Sequence, residues 1–333
     1  MQTDISRHPS VPCCRPWRYL YLNEDCAYNC AIMSPAAAEP FRVRGKNWDY
    51  FSSLQNLLES SPLRDFRLGM VRKGNVVCGE RNCAASDMSS CFLSEEEVSG
   101  SVPRSEGRYE LDMLAISVTN YCRGACRNCF QNCSTKNNTA VPRYVLDALA
   151  REATAKRVFL MGGEIFHLPN TEVERALDWA VSLGGDLGVT TAGDGILGDY
   201  LDRYPWGEMR ISVDAATREV HRIVRPGIDY DLLWENLSRA SDLLKEQLVA
   251  LITVSSYNSY ELPELIEKLS SLVKRIRLNV VFKGGRAREE VLLENNPHLL
   301  AMLAHQLPET IEAAAKQGVS VEWPLLRTIL SQT

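Results

Sequence analysis

The chain has 333 residues, with 45% hydrophobic, 24% charged and a formal net charge of -5. These are ordinary globular values, enough for one large domain or two smaller ones with buried cores. The negative balance argues against general nucleic-acid binding, which wants a basic footprint. No apolar run reaches the length of a membrane span, and the N-terminal "MQTDISRHPSVPCC" lacks a secretory apolar core, so a cytoplasmic protein without a membrane or nucleic-acid partner is expected.

In that reducing compartment the eleven cysteines point to metal or redox chemistry, not to disulfides. Seven lie in the first 91 residues (Cys13, Cys14, Cys26, Cys30, Cys78, Cys83, Cys91), four between 122 and 133, and none beyond. That asymmetry predicts two units. The first, residues 1–95, carries a strand pattern in "PWRYLYLNED" and the amphipathic stretch "WDYFSSLQNLLESSPLRDFRLGMV". So thin a core commonly needs a metal staple. The polar, Gly- and Pro-bearing stretch "LSEEEVSGSVPRSEGR" reads as a linker, residues 96–109 being assigned to it.

From residue 110 to 290, β-branched runs alternate with helical patterns, the signature of βα units on a parallel sheet. Strands are expected at "LDMLAISVT", "RVFLMGG", "DLGVTTAG", "EMRISVDA", "LVALITVSS" and "IRLNVVF". Helices are expected between them at "PRYVLDALAREATAK", "EVERALDWAVSLG", "YDLLWENLSRASDLLKE" and "SYELPELIEKLSSLV". Six βα units give an α/β fold short of a full eight-stranded barrel, a partial (β/α)6 TIM barrel. Residues 291–333 read as a helical extension with one possible strand, "GVSVEW".

The chemistry concentrates after the first strand of that series, in Cys122-Arg-Gly-Ala-Cys126-Arg-Asn-Cys129. Structural zinc usually takes paired C-x2-C arms supplying four ligands. Three thiolates on one loop suit an iron–sulfur cube with one iron left open, since soft thiolates favour zinc or Fe–S. A zinc knuckle, or plain buried thiols, is the alternative, and Cys133 reads as a small apolar side chain. "FLMGGE" ends the second strand, where Gly162 and Gly163 admit a close ligand and Glu164 offers a carboxylate. Ser212 and Asp214 alternate along "MRISVDAATREVHRIVRPG", so both point to one face, and Arg225 follows. His167, His221, His298 and His305 are expected on surfaces or helix faces, with His167 also placed to line the cavity.

Together these motifs resemble the radical SAM superfamily over roughly residues 110–290. The resemblance implies a [4Fe-4S] cluster held by Cys122, Cys126 and Cys129, whose open iron chelates S-adenosylmethionine. Electron transfer then cleaves the sulfonium to a 5′-deoxyadenosyl radical that abstracts a hydrogen atom from substrate. It also implies that Gly162, Gly163 and Glu164 meet the methionine amine, and that Ser212, Asp214 and Arg225 lie near the ribose and carboxylate. "TTAGDG" and "LNVVFKGGRA" are similar to the third-strand turn and the segment lying against adenine. Asn128 stands where the family often has an aromatic residue, and Ile165 where it has proline.

The first ninety residues resemble a SPASM or Twitch segment, through "CCRPWRYLYLNEDCAYNC", the "SSPLRDFR" helix and the Cys78-x4-Cys83 pair. The segment usually follows the barrel; here it precedes it. An auxiliary [4Fe-4S] cluster is then implied, with Cys13 or Cys14, Cys30, Cys78 and Cys83 as ligands, and Cys26 and Cys91 left over for a partial second site. A zinc-stapled mini-domain is the alternative. The relatives with such segments imply a peptide or protein substrate, a separate peptide-recognition protein to present it, and an electron donor such as flavodoxin or ferredoxin. A small-molecule substrate and a non-enzymatic zinc scaffold are the competing readings, and no catalytic acid or base is assigned.

Overall fold

The computed structural model describes residues 18–23, 26–28, 43–44, 48, 51–73, 101–102, 104–129, 131, 133–136, 141–281 and 286–330. The chain divides into two compact units. The first comprises residues 1–117, 141–158 and 181–185; the second comprises 118–140, 159–180 and 186–333.

In the first unit, β1 (Tyr19–Leu22), β2 (Cys26–Tyr28) and β3 (Val43–Arg44) form an antiparallel run. The amphipathic stretch becomes α1 (Leu54–Leu58) and α2 (Ser61–Lys73). Ser53 caps α1 by accepting from the Asn56 N–H, and Leu54, Leu57 and Leu58 bury at helical spacing. Arg67 of α2 is buried and donates to the Leu58 carbonyl at 2.6 Å. β4 (Arg104–Ser105) turns through Glu106 and Gly107, both at positive φ, into β5 (Arg108–Ser117). The last residues of the expected linker are therefore a β-hairpin. β1 lies parallel to β5, Leu20 opposite Leu114.

α3 (Arg143–Glu152) buries Val145, Ala148 and Leu149. It stops earlier than the sequence pattern suggests, because "ATAK" opens β6 (Ala153–Met161). Ala153 and Ala155 are buried between the less buried Thr154 and Lys156, and Val158, Phe159 and Leu160 are then all buried; the helix-favouring alanines mask the start of this strand in sequence.

The second unit holds Phe159–Met161 of β6, then α4 (Asn170–Ser182, its body to Ala180), β7 (Asp186–Thr191), β8 (Trp206–Ser212), α5 (Arg218–Val224) and α6 (Tyr230–Leu244). They are followed by β9 (Leu248–Val254), α7 (Leu262–Ser270), β10 (Arg275–Val280), α8 (Pro297–Lys316), β11 (Ser320–Glu322) and α9 (Pro324–Leu330). Neighbouring strands from β7 to β11 pair in chain order and all in parallel: Val189 with Met209, Ile211 with Ala250, Ile252 with Leu278, and Ile276 with Val321. An order without reversal is that of a barrel wall, not of a doubly wound sheet. The "GVSVEW" pattern supplies β11 as one more parallel strand beyond β10.

Leu248, Val249, Ala250, Ile252 and Val254 of β9 are all buried, as expected of a parallel strand covered on both faces. Helix starts follow local chemistry. Thr217 Oγ1 accepts from Val220 N–H at α5, and Asp229 accepts from the Asp231 and Leu232 N–H groups at α6. Among the described residues no helix is long and apolar enough to cross a membrane.

Candidate metal and cofactor site

The cysteine loop runs from Val118 and is fastened at several points within the second unit. Its first residues lie under the twin-glycine turn after β6. Gly163 has φ +46, and a Cβ there would meet the Thr119 and Tyr121 carbonyl oxygens at 2.6 Å each. The next residue, Glu164, donates its N–H to the Tyr121 carbonyl at 2.8 Å. A side chain at 163 would fill the space through which these two backbones approach. The middle of the loop is tied to the end of α5: Ala125 N–H donates to Pro226 O at 2.7 Å, and Arg127 N–H to Val224 O at 2.9 Å. The loop closes on itself where Cys122 N–H meets Ser134 O at 3.3 Å and Ser134 N–H meets Asn120 O at 3.2 Å.

Cys122, Cys126, Cys129 and Cys133 are all free thiols. Burial pushes the Cys122 thiol up to about 12, with the Glu164 carboxylate adding to it, while the Gly124 N–H donates to its sulfur at 3.3 Å. Burial also raises the Cys126 thiol, against the opposing hydrogen bond and charge of Arg225. Cys129 goes the other way. A hydrogen bond from the Cys133 thiol, set against burial and helped by the Arg286 charge, brings it down to about 6. The same contact, together with burial, pushes Cys133 upward, so Cys133 keeps its proton. The Cys133 thiol also donates to Gln131 Oε1 at 3.6 Å, so it is a polar participant in the loop and not a plain small side chain.

N–H groups aimed at thiolate sulfur stabilise its charge and tune an iron–sulfur cluster bound there. Among the described residues no three His, Cys, Asp or Glu side chains converge on one metal ion. A cube makes no such demand, because each thiolate binds a different iron. The donor set, the sulfur-directed hydrogen bonds and the side-chain-free approach at Gly163 fit a cube seated on Cys122, Cys126 and Cys129.

The remaining predicted residues gather around the same loop. Glu164 is 1% exposed, and its oxygens accept from Phe166 N–H at 3.1 Å, Thr191 Oγ1 at 2.8 Å and Ala192 N–H. Its carboxylate, raised first by burial, braces the turn from inside. Asp214 is 6% exposed and accepts from Thr253 N–H at 2.7 Å, with Arg225 Nε 3.6 Å from its other oxygen. Burial raises the Asp214 carboxyl, opposed by Arg225. Arg225 also donates to the Ser212 carbonyl, so the β8 end, the α5 end and Cys126 meet at one guanidinium. Asn128 is buried, with Nδ2 3.5 Å from Thr253 O and no partner for Oδ1.

Sequence reasoning placed His167 near the cavity but missed its partner Asp194 and the reach of Arg286. The His167 ring is buried, with Nε2 2.7 Å from Asp194 Oδ1 and Nδ1 accepting from the Arg123 N–H at 3.1 Å. That contact fixes Nε2 as the protonated nitrogen and ties the loop to the turn after β7. Asp194 sits inside "TTAGDG", yet nothing in the spacing marks it as a partner of a histidine 27 residues earlier. Arg286, within "LNVVFKGGRA", reaches the loop from beyond β10. His221, expected on a surface or a helix face, lies on the inward face of α5, 1% exposed and 3.0 Å from Ile228 O; His298 and His305 are exposed on α8. Cys13, Cys14, Cys30, Cys78, Cys83 and Cys91 lie outside the described residues, as does the side chain of Cys26.

Within the second unit, fold and loop together define an α/β architecture with parallel strands in barrel order and a thiol-bearing loop. Residues 116–269 match the family model of the Radical SAM superfamily. No curated protein matches the chain. Among solved structures it is similar to SuiB of Streptococcus suis bound to the precursor peptide SuiA, at 12% identity and TM-score 0.50, over 64% of this chain and 48% of that one. SuiB bound to S-adenosylmethionine gives 12% identity and TM-score 0.49, over 64% and 49% of the two chains. Coproporphyrinogen III oxidase (HemN) of Escherichia coli, a radical SAM enzyme, gives 14% and 0.46 over 62% and 52%. The chain covers about half the length of these structures. At such identities the likeness concerns the fold.

Proposed function

We propose that the chain is a radical SAM enzyme that modifies a peptide or protein side chain by hydrogen-atom abstraction. The observation carrying this reading is the gathering of three thiols on one loop, directly under a twin-glycine turn and beside a buried Asp214–Arg225 pair. When bound, the cluster supplies the electron that cleaves S-adenosylmethionine into methionine and the hydrogen-abstracting nucleoside radical.

The chain's own residues hold and orient. Cys122, Cys126 and Cys129 would hold the cube, Cys122 from a buried position and Cys126 and Cys129 from partly buried ones. Both oxygens of Glu164 are engaged internally, so its part is to fix the turn and leave the backbone of Gly162 and Gly163 to the methionine amine. Arg225, neutralised in part by Asp214, offers a fixed positive charge beside Cys126 for a carboxylate, while Ser212 lines the same strand end.

The peptide substrate class rests on the resemblance of residues 1–95 to a SPASM or Twitch segment, in which Cys13 or Cys14 with Cys30, Cys78 and Cys83 would hold an auxiliary [4Fe-4S] cluster. SuiB, similar in fold, has been solved with its precursor peptide bound. A flavodoxin or ferredoxin would supply the electron, and a separate protein would present the peptide.

Co-expression with candidate precursor peptides tests the substrate class. A product mass shift that depends on intact Cys126 is the expected result. Unmodified peptides, beside a chain that cleaves S-adenosylmethionine when given a sugar or cofactor precursor, would move the substrate to the small-molecule class.

A further inference from the structure

Arg286 makes three hydrogen bonds to the cysteine loop. Its backbone N–H donates to the Cys129 carbonyl at 2.8 Å, Nη1 to the Gly124 carbonyl at 3.2 Å, and Nη2 to the Cys133 carbonyl. One residue thus grips the loop between its first two cysteines, at its third cysteine and beyond it. A planar guanidinium fork suits carbonyls held at a fixed separation, which the single ammonium of lysine cannot span in the same way. Arg286 is itself anchored, because Ala287 packs into an apolar cluster with Val281, Val291 and Leu292, against which Tyr257 lies. Tyr257 meets the loop a second time: the Arg127 guanidinium sits 5.2 Å from its ring centroid, with Nη1 3.3 Å from its hydroxyl. Further loop ties come from the twin-glycine turn, His167, the end of α5 and the Thr253 carbonyl, which Asn128 meets at 3.5 Å, while the Cys129 and Cys133 carbonyls are held by Arg286.

We infer that Arg286 is a positioning residue that preforms the C-terminal half of the cysteine loop for cluster loading. It holds Cys129 and Cys133 in register with Gly124 before any iron arrives, so the entropy of ordering the loop is already spent when the cube assembles. Its positive charge also lies beside the Cys129 sulfur, where thiolate charge must be carried. This inference rests on the radical SAM reading for its purpose and on the hydrogen bonds alone for its mechanics.

Hydrogen–deuterium exchange on the metal-free full-length chain tests the mechanics. In Arg286→Gln, the amides of Cys122, Cys129 and Ser134 are expected to exchange roughly tenfold faster, as follows from losing hydrogen bonds to a charged donor. Arg286→Lys, which keeps the charge and loses the two-carbonyl span, is expected to stay closer to the Gln variant than to wild type. Amides of β8 and β9 are expected to keep wild-type rates. Unchanged loop exchange in Arg286→Gln, or equal acceleration in β8 and β9, would overturn the inference. Anaerobic iron–sulfide reconstitution tests the purpose: the Gln variant should bind less iron per chain and give a weaker cluster EPR signal, and full loading would overturn it. A wild-type chain that takes up no iron would instead overturn the cluster reading, leaving the exchange result to judge the staple.

Discussion

Replacing Gly163 by alanine probes the contact on which the site is built. The residue has φ +46, in the left-handed region, where an alanine costs about 1 kcal/mol relative to glycine. The added Cβ would also sit 2.6 Å from both the Thr119 and Tyr121 oxygens and 3.1 Å from the Asn120 carbonyl carbon. These are backbone atoms of the cysteine loop, so relief means moving the loop and not rotating a side chain. Overpacking of this kind costs about 1–3 kcal/mol, giving about 2–4 kcal/mol in all. Gly184 is the matched control: its φ is +83, and an added Cβ there meets nothing within 4 Å. Gly184→Ala should cost only the conformational share, about 1 kcal/mol. Urea midpoints of the two metal-free variants, measured side by side, read the difference. Gly163→Ala should unfold earlier and retain less iron after reconstitution. Equal midpoints with full iron in both would refute the close-approach reasoning.

Three further outcomes follow from the same geometry. His167→Phe removes the acceptor for Arg123 N–H and the donor to buried Asp194, and should lower stability by about 2–3 kcal/mol; thermal melting and the rate of iron loss to a chelator both read it, and wild-type values in both would remove the tether. The His221 imidazole is held below its ordinary value by burial and then by the Arg225 charge, with Nδ1 lacking a partner. The unfolded chain therefore binds the extra proton more readily, so this contribution is present above the ordinary imidazole value of about 6.5 and is lost as pH falls below it. Wild-type urea midpoints should drop between pH 7 and pH 5.5 more than those of His221→Gln, and parallel pH profiles would contradict this. Cys78→Ala or Cys83→Ala should lower iron per chain while 5′-deoxyadenosine release survives; unchanged iron would remove those cysteines from the auxiliary site.

Much of the framework was legible because its signals are local. Six strands followed from β-branched runs, and the thiol triplet, the twin glycines and the Ser212–Asp214 alternation are short patterns that need only their own neighbours to be read. The boundary between α3 and β6 was obscured because Ala153 and Ala155 favour helices, and tertiary burial overrode that preference. The short "GVSVEW" run was too weak to decide by itself, and its pairing with β10 made it a strand. The braces of the site were not legible at all. Arg286 meets Gly124 across 162 positions of chain, and His167 meets Asp194 across 27, so no spacing rule connects them. Glu164 illustrates a different gap. Sequence marks a carboxylate beside two glycines, whereas its burial and its three donors, which turn it into an internal brace, emerge only once β7 is in place.

The central claim is that Cys122, Cys126 and Cys129 hold a cube that reductively cleaves S-adenosylmethionine. The direct measurement is release of 5′-deoxyadenosine by anaerobically reconstituted, dithionite-reduced protein, compared with Cys126→Ala. A brown protein with iron and sulfide that releases the nucleoside, and a variant that releases none, are the expected results. A colourless protein binding only zinc, or undiminished release by Cys126→Ala, would contradict the claim.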